Sequence, residues 1–207
     1  SVSDLEYYKT SDSPDLFLYN AFFIGKSLRT YVKEGLADYT PMLLSEIPRL
    51  FKTGHIHLDA ALIQVTPPNE DGKCSLGINV DITKAMAESA DVLIAEINPK
   101  MPWTHGDTLI DIEEIDAYIL SDHEIIEYQY DPPNEEATKI AQFVSSLIED
   151  GSTIQTGIGY YSNSVLPALS EKKDLGVHSV IITDNIVELV EQGAITCEKM
   201  VLNKGKI

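Results

Sequence analysis

Apolar positions along the chain follow two rhythms that alternate with each other. "GKSLRTYVKEG" (25–35) spaces them at helical intervals and stops at Gly35, a residue suited to a helix C-terminus. "ADYTPM" (37–42) predicts a short strand, and "LLSEIPRLFKTG" (43–54) a helix with Pro48 in its first turn and Gly54 at its end. "HLDAALIQV" (57–65) and "DVLIAEIN" (91–98) are nearly continuous apolar runs, as expected of buried strands. Between them "TPPNEDGKCSLG" (66–77) carries loop punctuation and "DITKAMAESA" (81–90) a helical pattern.

"NEEATKIAQFVSSLIEDG" (134–151) predicts the longest helix, with Asn134 as N-cap and acids in the first turn. Beyond it, strands are predicted at "STIQTG" (152–157), "HSVIIT" (178–183) and "KMVLN" (199–203). Helices are predicted at "NSVLPALSEKK" (163–173) and "NIVELVEQG" (185–193). Strands separated by helices of this length imply an α/β fold, a mostly parallel sheet with helices on both faces. One region departs from the alternation: about 101–133, with strand-like runs "DTLI", "AYILS" and "EIIEYQ", predicts a small β-rich insertion.

Composition narrows the function classes. The chain has 207 residues, 43% of them hydrophobic, enough for a sizeable core. Its 33 acids against 15 bases give a net charge of −18. No Lys/Arg-rich run appears, so neither nucleic acid nor an anionic membrane is an expected partner. No apolar run reaches the roughly 18 residues of a membrane span. Cys74 and Cys197 are far apart and form neither a zinc pattern nor a disulfide framework. That usage suits a reducing, cytoplasmic setting. The chain opens at Ser1 and stops after "KGKI", and both ends read as cuts.

Candidate chemistry centres on "GSTIQTGIGYYSNSVLPAL" (151–169), where a strand runs into Gly157-Ile158-Gly159 and then a helix. Ligands collect at the carboxyl ends of parallel strands, and glycine lets backbone N–H groups come close to them. The turn is not a dinucleotide fingerprint, because Ser162 stands where the third glycine belongs, nor is it a Walker loop. On these grounds alone, ligand contact and a structural turn are equally open.

Five segments together resemble one family: "LLSEIPRLF" (43–51), "DAALIQVTPPNEDGKCSLG" (59–77), "AEINPKMPWTHGD" (95–107), "SLIEDGSTIQTGIG" (146–159) and "LGVHSVIITDNIVELVEQGAIT" (175–196). With the final "KGKI" (204–207), they are similar in order and register to the acetyl-CoA hydrolase/transferase group, which includes 4-hydroxybutyrate and butyrate–acetate CoA-transferases. The resemblance implies that residues 1–207 are the amino-terminal α/β domain, or part of it, of a two-domain enzyme. The catalytic carboxy-terminal domain is then absent. It implies acyl-CoA and short carboxylic acids as substrates, coenzyme A as the carried group, no metal, and a homo-oligomer. The reaction it implies passes through a glutamyl-CoA thioester. The glutamate belongs to a motif beyond this chain's end, so no catalytic residue is expected here.

Gln155, Gly157 and Gly159 are the expected substrate or oxyanion contacts, and Glu96 and His105 possible site walls. Departures at Trp103, Ser162-Asn163 and Asp184-Asn185 leave the acyl group open. An acyl-CoA hydrolase of the same family and a non-catalytic phosphate-ligand-binding domain are the alternatives.

The remaining constellations have plainer readings. His55, His57 and Asp59 of "HIHLD" would share one face if extended, but surface histidines are the expectation over a metal site. His105 and Asp107 are expected to pin their loop. Cys74, despite Lys73 beside it, is expected to be inert, and no serine has a nucleophile's sequence context. The aromatics Tyr7, Tyr8, Phe17, Tyr19, Phe22 and Phe23 are expected to pack on a neighbouring domain, subunit or first element.

Overall fold

The computed structural model describes residues 18–25, 28–128 and 130–207. Tyr7, Tyr8 and Phe17, and the Lys26-Ser27 start of the first predicted helix, lie outside the described residues. The chain forms two compact units, Ser1–Glu127 and Tyr128–Ile207.

In the first unit, β1 (Tyr19–Ala21) and β2 (Ala37–Tyr39) pair in parallel across α1 (Leu28–Lys33). Gly35, at φ +74°, turns the chain from α1 towards β2. A 3₁₀ turn then leads into α2 (Ile47–Lys52), with Pro48 in its first turn as expected. Phe22 stacks edge-on against Phe51 of α2, 6.1 Å between centroids.

The main sheet has the order β3 (Leu58–Val65), β5 (Ala90–Ile97), β7 (Ala117–Leu120), all parallel. The crossover from β3 to β5 holds β4 (Lys73–Ser75) and α3 (Thr83–Ala87). Strand alternation decides the burial. Ala61, Ile63 and Val65 of β3 and Leu93, Ala95 and Ile97 of β5 share one face and form a core with Cys74, Leu76 and Ile110. On the opposite face Leu62 stays 76% exposed and Val92 40%.

The segment expected to be a bare loop at 66–77 contains β4. Asn69 accepts the N–H groups of Asp71 and Lys73 on its side chain, and Gly72 takes a φ of +73°. This closes a tight turn that sends the chain back into an antiparallel pair with β6 (Leu109–Asp111). The insertion at 101–133 thus spends its short strands on existing neighbours, β6 on β4 and β7 on β5. Residues 124–128 of the third run form no strand.

In the second unit, α4 (Glu135–Leu147) starts at Asn134, whose side chain accepts the Ala137 N–H at 2.8 Å. β8 (Thr153–Ile154) pairs in parallel with β9 (Gly176–Val177). α5 (Tyr160–Val165), a 3₁₀ turn (Leu166–Leu169) and α6 (Asp184–Glu191) pack around Leu166, Leu169, Leu175, Ile186 and Leu189.

Two strand expectations differ here. The β8–β9 ladder ends with the His178 N–H to Ile154 bond, so 178–183 runs on without a strand partner, Val180 being 70% exposed. Residues 199–203 turn instead of extending. Gly205 N–H returns to the Cys197 carbonyl, and Cys197 and Asn203 both take positive φ. β-propensity selects a strand only where a partner edge exists to satisfy its backbone. The α/β class with mostly parallel pairing is present, distributed among the described residues over four small sheets.

Candidate functional site

The carboxyl end of β5 carries a polar network on one short segment. Glu96 lies beside Gln64 in register, on the open sheet face. Its Oε1 is 2.6 Å from His123 Nε2, while His123 Nδ1 is 3.1 Å from the Glu124 carbonyl oxygen. Both ring nitrogens therefore face acceptors, and only the imidazolium, a donor at both, satisfies them.

Two residues on, Asn98 is fully buried. Its amide donates to the His123 carbonyl at 2.9 Å, and its oxygen accepts the Lys100 N–H at 2.9 Å. Lys100 in turn reaches Glu124 at 2.5 Å. Glu96, Asn98 and Lys100 thus strap residues 123–124 to the end of the central strand.

The charge states follow from these contacts. The nearby Ser121 hydroxyl is the largest influence holding the Glu96 carboxyl below its ordinary 4.5, followed by His123 and the Gln64 amide, against some desolvation. Ser121 Oγ is buried and makes no hydrogen bond of ordinary geometry, so its effect is that of a close dipole. His123 is raised above its ordinary 6.5, first by the Glu124 carbonyl and then by Glu96.

On the sheet's other face, the strand ends border an apolar groove of about 410 Å³, lined by Pro67, Pro68, Ile97, Pro99, Tyr118 and Leu120 among others. The loop carrying His105 is fastened by Thr104 rather than by His105. Buried Ser75 Oγ accepts the N–H groups of Gly77 and Thr104, and the Thr104 hydroxyl donates to the Gly77 carbonyl. Lys84 pairs with Asp107 and lowers its pKa, so Asp107 pins the loop as expected. His105 is exposed and makes no hydrogen bond among the described residues. Lys73 turns to Asp111 at 2.5 Å, and burial pushes the Cys74 thiol up, which leaves it inert.

In the second unit, Gln155, Gly157 and Ile158 are exposed and Gly159 is half-buried. Thr156 between them is buried and exchanges hydrogen bonds with Ser179. The glycines differ from expectation in one respect: neither takes a left-handed φ, and Gly159, at φ 177° and ψ 155°, is extended backbone open to any residue. Steric need within the chain does not explain them either, since a Cβ at Gly157 or Gly159 meets only Ser162 Oγ, at 3.8 and 4.0 Å. An added methyl group would make only ordinary contact at either position. Among the described residues no hydrogen bond engages the N–H of Gly157, Ile158 or Gly159. After the turn, the Tyr160 hydroxyl accepts the Asn134 N–H and donates to the Pro132 carbonyl.

The acetyl-CoA hydrolase/transferase N-terminal domain profile matches residues 1–128. The chain belongs to that family. The 4-hydroxybutyrate coenzyme A transferase of Clostridium kluyveri is 44% identical over 92% of this chain and 44% of its own length. A succinyl-CoA:acetate/propanoyl-CoA:succinate CoA transferase of Fasciola hepatica is 41% identical over 97% of this chain and 42% of its own. Among solved structures, a 4-hydroxybutyrate CoA-transferase from Porphyromonas gingivalis superposes with a TM-score of 0.78 at 36% identity, over 92% of this chain and 49% of that one. RipA from Yersinia pestis gives 0.83 at 28%, over 90% and 45%. The chain spans less than half the length of the curated relatives it matches.

His123, Asn98 and Ser75 were not singled out by the sequence reading. Asn98 had a faint signal, an Asn-Pro pair ending a buried strand. His123 and Ser75 had none, because Glu96 lies 27 residues from His123 and Thr104 lies 29 residues from Ser75.

Proposed function

We propose that this chain is the amino-terminal part of a CoA-transferase that moves coenzyme A between short-chain carboxylic acids. The names of its relatives support the reaction class, and the observation that carries the site is the set of N–H groups at Gly157–Gly159 that no hydrogen bond engages among the described residues. N–H groups of this kind suit the oxygen of an acyl thioester as it becomes an oxyanion. Gln155, Gly157 and Gly159 are the contacts assigned to acyl-CoA. In the first unit, Glu96 at the carboxyl end of β5 and His105 in the loop that follows it are the wall residues of this reading.

A glutamate outside these residues attacks the thioester carbonyl; the C–S bond breaks and gives a mixed anhydride and CoA thiolate. The thiolate attacks the glutamyl carbonyl and expels the first acid, leaving glutamyl-CoA. The acceptor carboxylate then attacks that thioester and releases thiolate again. The thiolate finally takes the new acyl group and frees the glutamate. Glu96 is held as an anion beside an imidazolium and serves as a fixed charge, not as the nucleophile.

The test uses the full-length protein with acyl-CoA and acetate. Parallel-line initial-rate kinetics and a CoA mass adduct on a single glutamate outside residues 1–207 are expected. Intersecting lines with no adduct would refute the transferase. CoA release at equal rate without an acceptor acid would assign the hydrolase.

At the turn, a Cβ at Gly157 meets only Ser162 Oγ, at an ordinary 3.8 Å, so with Gly157→Ala the unfolding midpoint should hold while kcat/KM falls by roughly tenfold or more. An unchanged kcat/KM would remove the turn from the site.

A further inference from the structure

His57 and Asp59 lie two residues apart at the start of β3, and Asp91 lies at the start of the neighbouring β5. The register pairs Leu58 with Ala90 and Ala60 with Val92, which sets Asp59 directly beside Asp91. Two carboxylates side by side across a strand pair repel each other, and His57 lies against both of them. His55, the other histidine of "HIHLD", does not join them; its Nδ1 is 2.7 Å from the Thr53 hydroxyl.

The three remaining side chains bring one ligand atom each to within 4.8 Å of one another. His57 Nε2 is 3.6 Å from an Asp59 oxygen and 3.3 Å from an Asp91 oxygen. These separations are long for N–H···O bonds, which cluster at about 2.9–3.0 Å. All three side chains are exposed and the third edge lies within 4.8 Å, so an ion has room to draw the three ligand atoms together. An ion bound at about 2.0–2.1 Å in tetrahedral geometry sets ligand–ligand edges of about 3.3–3.4 Å.

We propose that His57, Asp59 and Asp91 hold a divalent transition-metal ion of the zinc class, with water in the open position. One imidazole with two carboxylates favours zinc over calcium, which takes oxygen ligands in larger number. The site is structural. It lies about 16 Å along β5 from Glu96, at the amino ends of the strands rather than the carboxyl ends where ligands react. The ion clips β3 to β5 and neutralises the paired aspartates. Nothing in this assignment depends on CoA transfer.

The chelator-washed protein carrying this chain is titrated with Zn²⁺ by calorimetry and with Co²⁺ by visible absorption. Expected are about one equivalent at micromolar affinity, intense tetrahedral Co²⁺ bands, and an unfolding midpoint raised by several degrees at saturation. His57→Ala and Asp91→Asn should each weaken binding at least tenfold, and His55→Ala should leave it unchanged. Binding that survives both variants, or a wild-type protein with no tetrahedral Co²⁺ spectrum, would overturn the site. The Co²⁺ readout on the wild type decides even if a variant misfolds.

Discussion

Glu96 and His123 show how a single contact sets two charge states. Folding lowers the carboxyl and raises the imidazole. The signs place the pair's stabilisation in one window. The Glu96 share is present above its ordinary 4.5 and is lost as pH falls through the lowered folded value. The His123 share is complete below its ordinary 6.5 and is lost as pH rises through the raised folded value. The strap on residues 123–124 is therefore tightest at mildly acidic pH. An NMR titration should find the His123 ring above 6.5 in the native protein and shifted down in Glu96→Gln. A ring that titrates identically in both would show the pair is not formed.

Ser75 is the other decisive single residue. It is fully buried, and its hydroxyl serves two N–H groups. Ser75→Ala strands those donors, at a cost of about 1–3 kcal/mol in denaturant unfolding.

At the scale of elements, caps and glycine turns were the legible features. Asn134, Gly35, Gly54 and Pro48 all end or start helices where their chemistry requires it. Asn134→Ala should lower stability by about 1 kcal/mol in urea melts, because the Ala137 N–H loses its acceptor. Gly77 illustrates a demand that only packing makes visible. It has φ +60°, and an added Cβ would fall on the Met101 side chain. Gly77→Ala should then cost more than the roughly 1 kcal/mol of left-handed strain alone, and the loop bearing His105 should become the first site of protease cleavage.

The errors at this scale share one cause. "HSVIIT" and "KMVLN" have the composition of strands but no partner edge, and "TPPNEDGKCSLG" has that of a loop but meets β6. Propensity is local, whereas a ladder needs two segments.

At the scale of the molecule, the surface is doubly unbalanced. It carries a net charge of −18, and apolar side chains stay exposed on the main sheet's open face (Leu62, Val92, Ile119) and on α4 (Phe143, Leu147). The charge disfavours association at low salt and is screened as salt rises. Light scattering of residues 1–207 should therefore show self-association increasing between low and 0.5 M salt, with dye binding to apolar surface. A chain that stays monomeric throughout would mean those faces are too divided to adhere.

The sequence alone determined what depends on neighbours in the chain: the α/β alternation, the helix ends, the acidic balance, the family likeness and the position of the Gly157–Gly159 turn. Tertiary structure decided what depends on distant residues meeting. It joined His123 to Glu96, exchanged His55 for Asp91 beside His57, and gave the Thr104 loop its fastening on Ser75. Hydrogen bonds and charges act over a few ångströms of space, and pairs such as these, 27 to 34 residues apart in the chain, come that close only once the strands have paired.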